Sequence, residues 1–542
     1  MSKYILVTGG VCSGLGKDVV SASIGSLLEC SGLTVAMVKC APHINIDAAT
    51  MNPYQHGEVY VTADGGETDL NLGSYERFTN VSLTSMNSVT VGQIYETVIK
   101  NERAGRYNGK TVQVIPHITD EIKRRIMFIG SQSQADVVVV EIGGTVGDIE
   151  SIPFLEAARQ LMRELGKENA LSIHLTLVPT VTGGELKTKP TQHSVKAMQE
   201  MGIQPDILLC RTEDNLDDDL KRKIGLFCNI EKQSVFMAAD VKKTVYELPG
   251  DLHKQGLAEV ILKKLGFSDC KTDIKPWSDF ITRFNHPRGK VRIGMLCKKN
   301  LIDDWYTSVS ESLFYAAVSA YALELEIQKI DAEIVEMSAD IEPFFKEVDA
   351  VIIPGNYGQR GFLGLLRTVQ YVRENRIPYL GIDLGMQLMA IETARNLLGI
   401  EDADSTEFVQ SSSYPVISLP EEQTGFVPAG HMRLGNEDIR IVKHSKLNSI
   451  YKSLEITERH RSKYSFNKKY TEDLNKSGLY VSAVAKSDEL VEAFEWKDHP
   501  WGIGVQYHPE FVSRPTKPHP LFSSFIKVAF DRSKNHNAQS VK

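Results

Sequence analysis

Short β-branched runs alternate with helical patterns along the first half of this chain. YILVT at 4–8, TVAMVK at 34–39, ADVVVVEIGG at 135–144 and ILLC at 207–210 are each followed by a longer segment of helical periodicity. Near-continuous apolar strands spaced by helices do not suit a sandwich or a helical bundle. They point to an α/β fold, a doubly wound parallel sheet buried on both faces. The rhythm lasts to about residue 265. It breaks over 266–290, where Pro276, Asn285-His286-Pro287 and Gly289 cluster and a linker is expected. A fresh strand, Val291 to Leu296, opens a second α/β series that continues through DAVIIPG (349–355) and PYLGI (378–382). The expected organisation is a domain over 1–265, a linker over 266–290, a second α/β domain over 291–530 and a polar tail over 531–542.

The composition narrows the function classes. With 61 Lys+Arg against 69 Asp+Glu the net charge is −8, so there is no basic excess from which to argue a nucleic-acid or membrane-surface binder. Seven cysteines at 12, 30, 40, 210, 228, 270 and 297 show no CxxC spacing and suit a reducing compartment better than a disulfide framework or a zinc site. The first residues lack the apolar core of a signal peptide, and no apolar run reaches the roughly 18 residues of a membrane helix. The chain is expected to be cytoplasmic.

The strand Tyr4 to Thr8 runs into Gly9-Gly10-Val11-Cys12-Ser13-Gly14-Leu15-Gly16-Lys17 and then a helix. Such a turn aims backbone N–H groups and a lysine at a polyphosphate. The spacing is not that of a standard Walker A loop, and Asp18 stands where Ser or Thr would hold magnesium. The next strand is expected to end at Lys39, a candidate second cation, although a lone strand-end lysine is more often solvated.

Six motifs in order, VTGGVCSGLGK, NPYQHGEVYVT, ETDLNLGSYERF, TVQVIPHIT, VEIGGTVGDIES and LKTKPTQHS, resemble the synthetase domain of the CTP synthase family. The second domain is similar to that family's class I glutamine amidotransferase domain. The resemblance implies an amidoligase in which ATP phosphorylates the 4-oxygen of UTP, and ammonia from glutamine displaces the phosphate to give CTP, with Mg2+ at the transferred group. It places ATP at Gly14, Leu15, Gly16, Lys17, Asp18, Asn71, Ala239, Asp240 and Val241, with Lys17 and Lys39 catalytic. It places UTP or CTP at Ser13, Asp148, Ile149, Glu150, Lys187, Thr188, Lys189, Pro190, Thr191, Gln192 and Lys223. Glu141 and Asn71 fall at its metal positions. The chain departs from the family's pattern here: Asn71 replaces an aspartate, Asp18 a glycine, and Ala41 and His43 an Asp and a Tyr. A weakened metal site is expected.

A class I amidotransferase carries its cysteine at a strand-to-helix turn, G-x-C-x-G-x-Q. This chain reads Gly381-Ile382-Asp383-Leu384-Gly385-Met386-Gln387, and no cysteine follows Cys297. By resemblance His508 and Glu510 of YHPEF are the base and its orienting acid. Asn356 occupies a glycine position of the oxyanion turn, Lys463 replaces the substrate-gripping arginine, and Glu407 is kept. A carboxylate is a poor nucleophile toward an amide, so glutamine hydrolysis is expected to be lost. Pro53, His56 and Val59 match the family's ammonia gate, and Cys297 reads as a buried core thiol. The expected function is therefore amination of UTP by free ammonia. The alternative is a silent paralogue that binds UTP or CTP and co-assembles with an active CTP synthase; altered chemistry on another carbonyl substrate is a third reading. The resemblance implies a homotetramer and leaves CTP as a candidate inhibitor.

Overall fold

The computed structural model describes residues 2–47, 57–181, 183–241, 243–298, 306–355, 358–420 and 432–540. They form two compact units, one of residues 2–47 and 67–281, the other of residues 57–66 and 282–540.

The N-terminal unit is built on seven strands: β1 (Lys3–Gly9), β2 (Val35–Ala41), β3 (Ser88–Thr90), β4 (Val137–Ile142), β5 (Ala170–Leu177), β6 (Ile207–Thr212) and β7 (Val235–Ala239). Their order is β7-β6-β5-β1-β4-β2-β3, every pairing parallel. Val137 to Val140 are fully buried, as an apolar strand covered on both faces requires. The helices used below are α1 (Lys17–Cys30), α2 (Leu70–Phe78) and α3 (Lys189–Glu200). The β2–β4 register pairs Lys39 with Glu141, which sets both side chains at one height near the carboxyl ends of adjacent strands. Strand β2 runs on to Ala41, so Lys39 is not the strand-end residue expected from its sequence, and it is only 6% exposed.

The segment read as a linker contains helix α4 (Lys275–Asn285). Trp277 on it is buried in the N-terminal unit, donates from Nε1 to Ser26 Oγ at 2.6 Å and stacks on Phe78 with ring centres 5.3 Å apart. Proline and polar residues mark the ends of that stretch, and they masked an apolar helical face between them.

The second unit carries β8 (Lys290–Cys297), β9 (Glu324–Asp331), β10 (Ala350–Ile353), β11 (Tyr379–Ile382), β12 (Arg433–Ile441), β13 (Glu455–Ser462), β14 (Leu479–Ala485), β15 (Val491–Trp496) and β16 (Gly502–Val505). In the order β9-β8-β10-β11-β16-β15-β14-β12-β13, the strands from β9 to β16 pair in parallel and those from β16 to β13 pair antiparallel. Helix α5 (Leu384–Asn396) follows β11, and α6 (Pro520–Ser540) continues through most of the residues read as a tail. Residues 57–66 belong to this unit although the chain is far from it in sequence. Arg459 is almost wholly buried and needs acceptors, and its Nη1 donates to Tyr60 Oη at 3.1 Å and to the Val61 carbonyl at 3.0 Å. Gly65 and Gly435 meet backbone to backbone: a Cβ at Gly435 would lie 2.6 Å from the Gly65 nitrogen. Among the described residues, no helix is long and apolar enough to cross a membrane.

Candidate active sites

In the N-terminal unit the Gly-rich turn leaves β1 with Val11, Gly14 and Gly16 at positive φ, and Lys17 begins α1. A β-branched residue with φ of 79° is a strained backbone position, of a kind concentrated at binding loops. Lys17 lies flat over Gly9, where a Cβ would come within 2.6 Å of its Cδ, and its Nζ donates to the Gly144 carbonyl. The turn after β4 is tied to the same loop through the Val146 N–H, which donates to the Gly9 carbonyl at 2.8 Å. Burial lowers the Lys17 pKa, Glu141 opposes that, and Lys39 lowers it further.

Behind Lys17 stands a polar group in which Lys39, Tyr75 and Glu141 are buried, Asp18 and Asp69 are partly exposed and Asn71 is exposed. Lys39 Nζ donates to Asp69 Oδ1 at 3.1 Å, and the Asn71 amide, oriented so that both its ends are paired, accepts from Lys39 Nζ at 2.7 Å and donates to Asp18 Oδ2 at 3.2 Å. Glu141, 4% exposed, accepts from the Tyr75 hydroxyl. Burial raises the Glu141 pKa while Lys39 opposes it; for Lys39 the same burial is outweighed by Asp69 and Glu141, and its pKa is raised. Asp69 was not singled out in the sequence. It caps α2, its Oδ1 accepting from the Asn71 N–H at 2.9 Å, and an Asp one residue ahead of a helix is a recognisable cap. That it also reaches Lys39 follows only from the fold. Carboxylate and amide oxygens of this kind are the donors that a hard divalent cation takes.

The other positions read as ATP contacts meet through a residue that the sequence did not flag. Arg211 Nε donates to Asp240 Oδ1 at 2.5 Å, and its Nη1 donates to the Gly14 carbonyl at 2.8 Å, joining the end of β7 to the glycine turn. Leu15 is buried, while Ala239 and Val241 are partly exposed on either side of Asp240. Of the pyrimidine-nucleotide positions, Ser13, Asp148, Ile149, Glu150, Lys189 and Lys223 are exposed. Asp148 lies near enough to raise the Lys17 pKa. Lys187 pairs with Glu185 at 2.6 Å, and Lys189 Nζ stands 6.0 Å from the centre of the Phe227 ring. Thr188, Thr191 and Gln192 are buried: Gln192 Nε2 donates to Thr188 Oγ1 at 3.1 Å and Thr191 Oγ1 donates to the Leu177 carbonyl at 3.0 Å. Pro190 fits the first turn of α3, where no N–H is needed. The run thus offers two cations on a scaffold fixed by its own hydroxyls and amide.

In the second unit β11 turns sharply into α5 at Asp383, with φ 49° and ψ −105°. A Cβ at Gly381 would run into the backbone of Gly385, and one at Gly385 into the Ile353 carbonyl, so both small residues are required for the turn. Asp383 is buried, and its Oδ1 accepts from Gln506 Nε2 at 2.5 Å and from Gln387 Nε2 at 3.4 Å. Burial pushes its pKa up from 3.8 to about 6, with His508 opposing. The two ring nitrogens of His508 both face oxygen acceptors, Nδ1 toward Glu510 Oε1 at 2.7 Å and Nε2 toward the Arg461 carbonyl at 3.3 Å. That arrangement suits an imidazolium. Burial alone would lower the His508 pKa, but Glu510 and Asp383 raise it. Nearby, Glu407 Oε1 accepts from the Gly358 N–H at 2.9 Å, Lys298 Nζ donates to the Gly358 carbonyl at 2.6 Å, and burial lowers Lys298 to about 8.

The family model described as CTP synthase N-terminus matches residues 3–267, and that described as glutamine amidotransferase class-I matches residues 301–528. A CTP synthase of Carboxydothermus hydrogenoformans is 48% identical over 536 residues, covering 98% of this chain and 100% of that protein. The chain belongs to the CTP synthase family. A CTP synthase of Protochlamydia amoebophila is 49% identical over 533 residues, covering 97% of this chain and 98% of that protein. The solved glutaminase domain of a Trypanosoma brucei CTPS with bound acivicin is 36% identical over 44% of this chain and 94% of that one, with a TM-score of 0.42.

The turn from β11 into α5 presents the buried carboxylate of Asp383. Lys463 is turned so that its Nζ stands 5.7 Å from the centre of the Tyr464 ring. Cys297 ends β8 half-buried rather than in the core, with Sγ 3.6 Å from the Met295 carbonyl. Asn356, Pro53 and His56 lie outside the described residues; Val59, the third gate position, is partly exposed in the second unit.

Proposed function

We propose that this chain is an ammonia-dependent amidoligase that converts UTP to CTP at the expense of ATP and has lost glutamine hydrolysis. The observation that carries the reading is the meeting of Lys17, Lys39 and Glu141 at the carboxyl ends of β1, β2 and β4, beside the glycine turn. Lys17 and the turn's N–H groups neutralise and orient the phosphates, Arg211 and Asp240 hold the turn in shape, and Lys39 balances the acids beneath. Lys187 and Lys189 supply charge to the second triphosphate. Glu141 and Asn71 would hold a divalent cation, which would supply charge neutralisation for phosphoryl transfer. The loss of glutaminase activity is supported by Asp383. A carboxylate attacking an amide would give an anhydride in place of a thioester, and both ring nitrogens of His508 already face oxygen acceptors, Glu510 and the Arg461 carbonyl.

The test is to incubate the full chain with UTP, ATP and Mg2+, adding either ammonium chloride or glutamine. CTP and ADP are expected to form with ammonium, and neither CTP nor glutamate with glutamine. Tight UTP or CTP binding without turnover, together with co-purification of an active relative, would instead favour the paralogue. Homotetramer formation is part of the same proposal and is read by light scattering.

A further inference from the structure

Strand β5 breaks the rule that a parallel strand covered on both faces is apolar throughout. Leu171, Ile173 and Leu175 alternate along it with Ser172, His174 and Thr176, and every one of them is buried. An imidazole taken out of water costs free energy unless both its nitrogens are paired, and both nitrogens of His174 have partners. Its Nδ1 lies 2.9 Å from Thr8 Oγ1, its neighbour in the β1–β5 register, and its Nε2 lies 2.8 Å from Ser194 Oγ on α3. Burial holds the ring neutral, with its pKa down at about 3, and the charge of Lys17 acts in the same direction. A neutral ring donates at one nitrogen and accepts at the other, and a hydroxyl can serve either.

The two hydroxyls stand at the roots of two different segments of the site. Thr8 immediately precedes Gly9, over which Lys17 lies, and the next residue, Gly10, donates its N–H to the Leu175 carbonyl of β5 at 3.0 Å. Ser194 follows Gln192 by two residues on the helix whose first turn carries Lys189. The two segments meet without slack: a Cβ at Gly10 would come within 1.7 Å of Ser194 Oγ and 3.2 Å of His174 Cε1. An apolar side chain at 174 would pack here without the cost of burying ring nitrogens, but it would fix neither hydroxyl. We propose that His174 is a positioning residue for phosphoryl transfer, holding the glycine turn through Thr8 and the 187–192 run through Ser194 in one fixed relation, so that the two bound nucleotides are aligned. Wholly buried, it touches neither nucleotide itself. The inference rests on the ligase reading for which nucleotide each segment holds.

The experiment titrates the full chain with UTP by calorimetry, with and without Mg2+ and the non-hydrolysable ATP analogue AMP-PNP. In the wild type the analogue is expected to tighten UTP binding by about tenfold. His174→Leu is expected to reduce that coupling to less than about twofold while each nucleotide, added alone, binds within about threefold of its wild-type affinity. Thr8→Val should lose the coupling in the same way and Thr8→Ser, which keeps the hydroxyl, should retain it; combining Thr8→Val with His174→Leu should add nothing further. Where ammonium-dependent turnover is measured, kcat of His174→Leu is expected to fall about tenfold to a hundredfold with little change in either KM. Thermal melts show that the variants are folded. Coupling in His174→Leu within about twofold of wild type would overturn the proposal, as would a Thr8→Ser chain no better than Thr8→Val, or a wild type in which the two nucleotides bind independently. Because coupling is read without turnover, failure of the wild type to make CTP would count against the ligase reading alone.

Discussion

Replacing Lys17 with alanine lowers ammonium-dependent CTP formation by about two to three orders of magnitude, the loss seen when one preorganised charge donor is removed from a developing anion. The argument is geometric before it is electrostatic. The side chain is laid over Gly9, and Gly16, with a φ of 78°, is the N-cap from which α1 begins. Burial costs the ammonium part of its solvation and lowers its pKa, and a phosphate oxygen would return what water no longer supplies. Lys17→Arg is expected to recover little of the rate, because the planar guanidinium cannot follow the same path across Gly9 to the Gly144 carbonyl. Initial rates at saturating UTP and ATP check this, with circular dichroism as the control for folding. A Lys17→Ala enzyme within fivefold of wild type would remove Lys17 from the chemistry.

Much of the N-terminal unit could be read from residue patterns, because a buried parallel strand has to be a continuous apolar run and the glycines of the turn between β1 and α1 cannot be hidden. Glu141 was placed from its position after four valines, and the elbow around Asp383 from two glycines whose absence of Cβ the structure shows to be obligatory. What escaped were contacts between residues distant in the chain. Asp69 looks like a helix cap and is one, but its second role depends on β2 delivering Lys39 beside it. Arg211 looks like any strand-end arginine until β6 and β1 are set on either side of β5. The assignment of 57–66 to the second unit turns on a buried Arg459 that needs acceptors, and no local pattern records that need. In 266–290, Pro276 falls in the first turn of α4, where proline is tolerated, so a residue read as a break instead begins a helix.

Asp383→Asn stabilises the second unit at pH 8 by about 2–3 kcal/mol and leaves it unchanged near pH 4. The carboxyl has a pKa of about 6 in the fold against 3.8 in the open chain. Below the lower value both states hold the proton and nothing is lost. Between the two the folded state holds a proton that the unfolded state has released, so stability falls as pH rises. Above about 6 the buried carboxylate is ionised and the full cost stands, about 1.4 kcal/mol for each pH unit separating the two values. Asparagine cannot ionise, and its carbonyl can still accept from Gln506 and Gln387. Part of the gain is given back, because Asp383 helps to keep His508 protonated, which is why the figure sits at or below the full linkage value. Urea midpoints of wild type and Asp383→Asn, compared at pH 5 and pH 8, check the sign. The advantage of the variant should grow between those pH values, and an advantage equal at both would mean that packing, rather than ionisation, is what Asp383 costs the elbow.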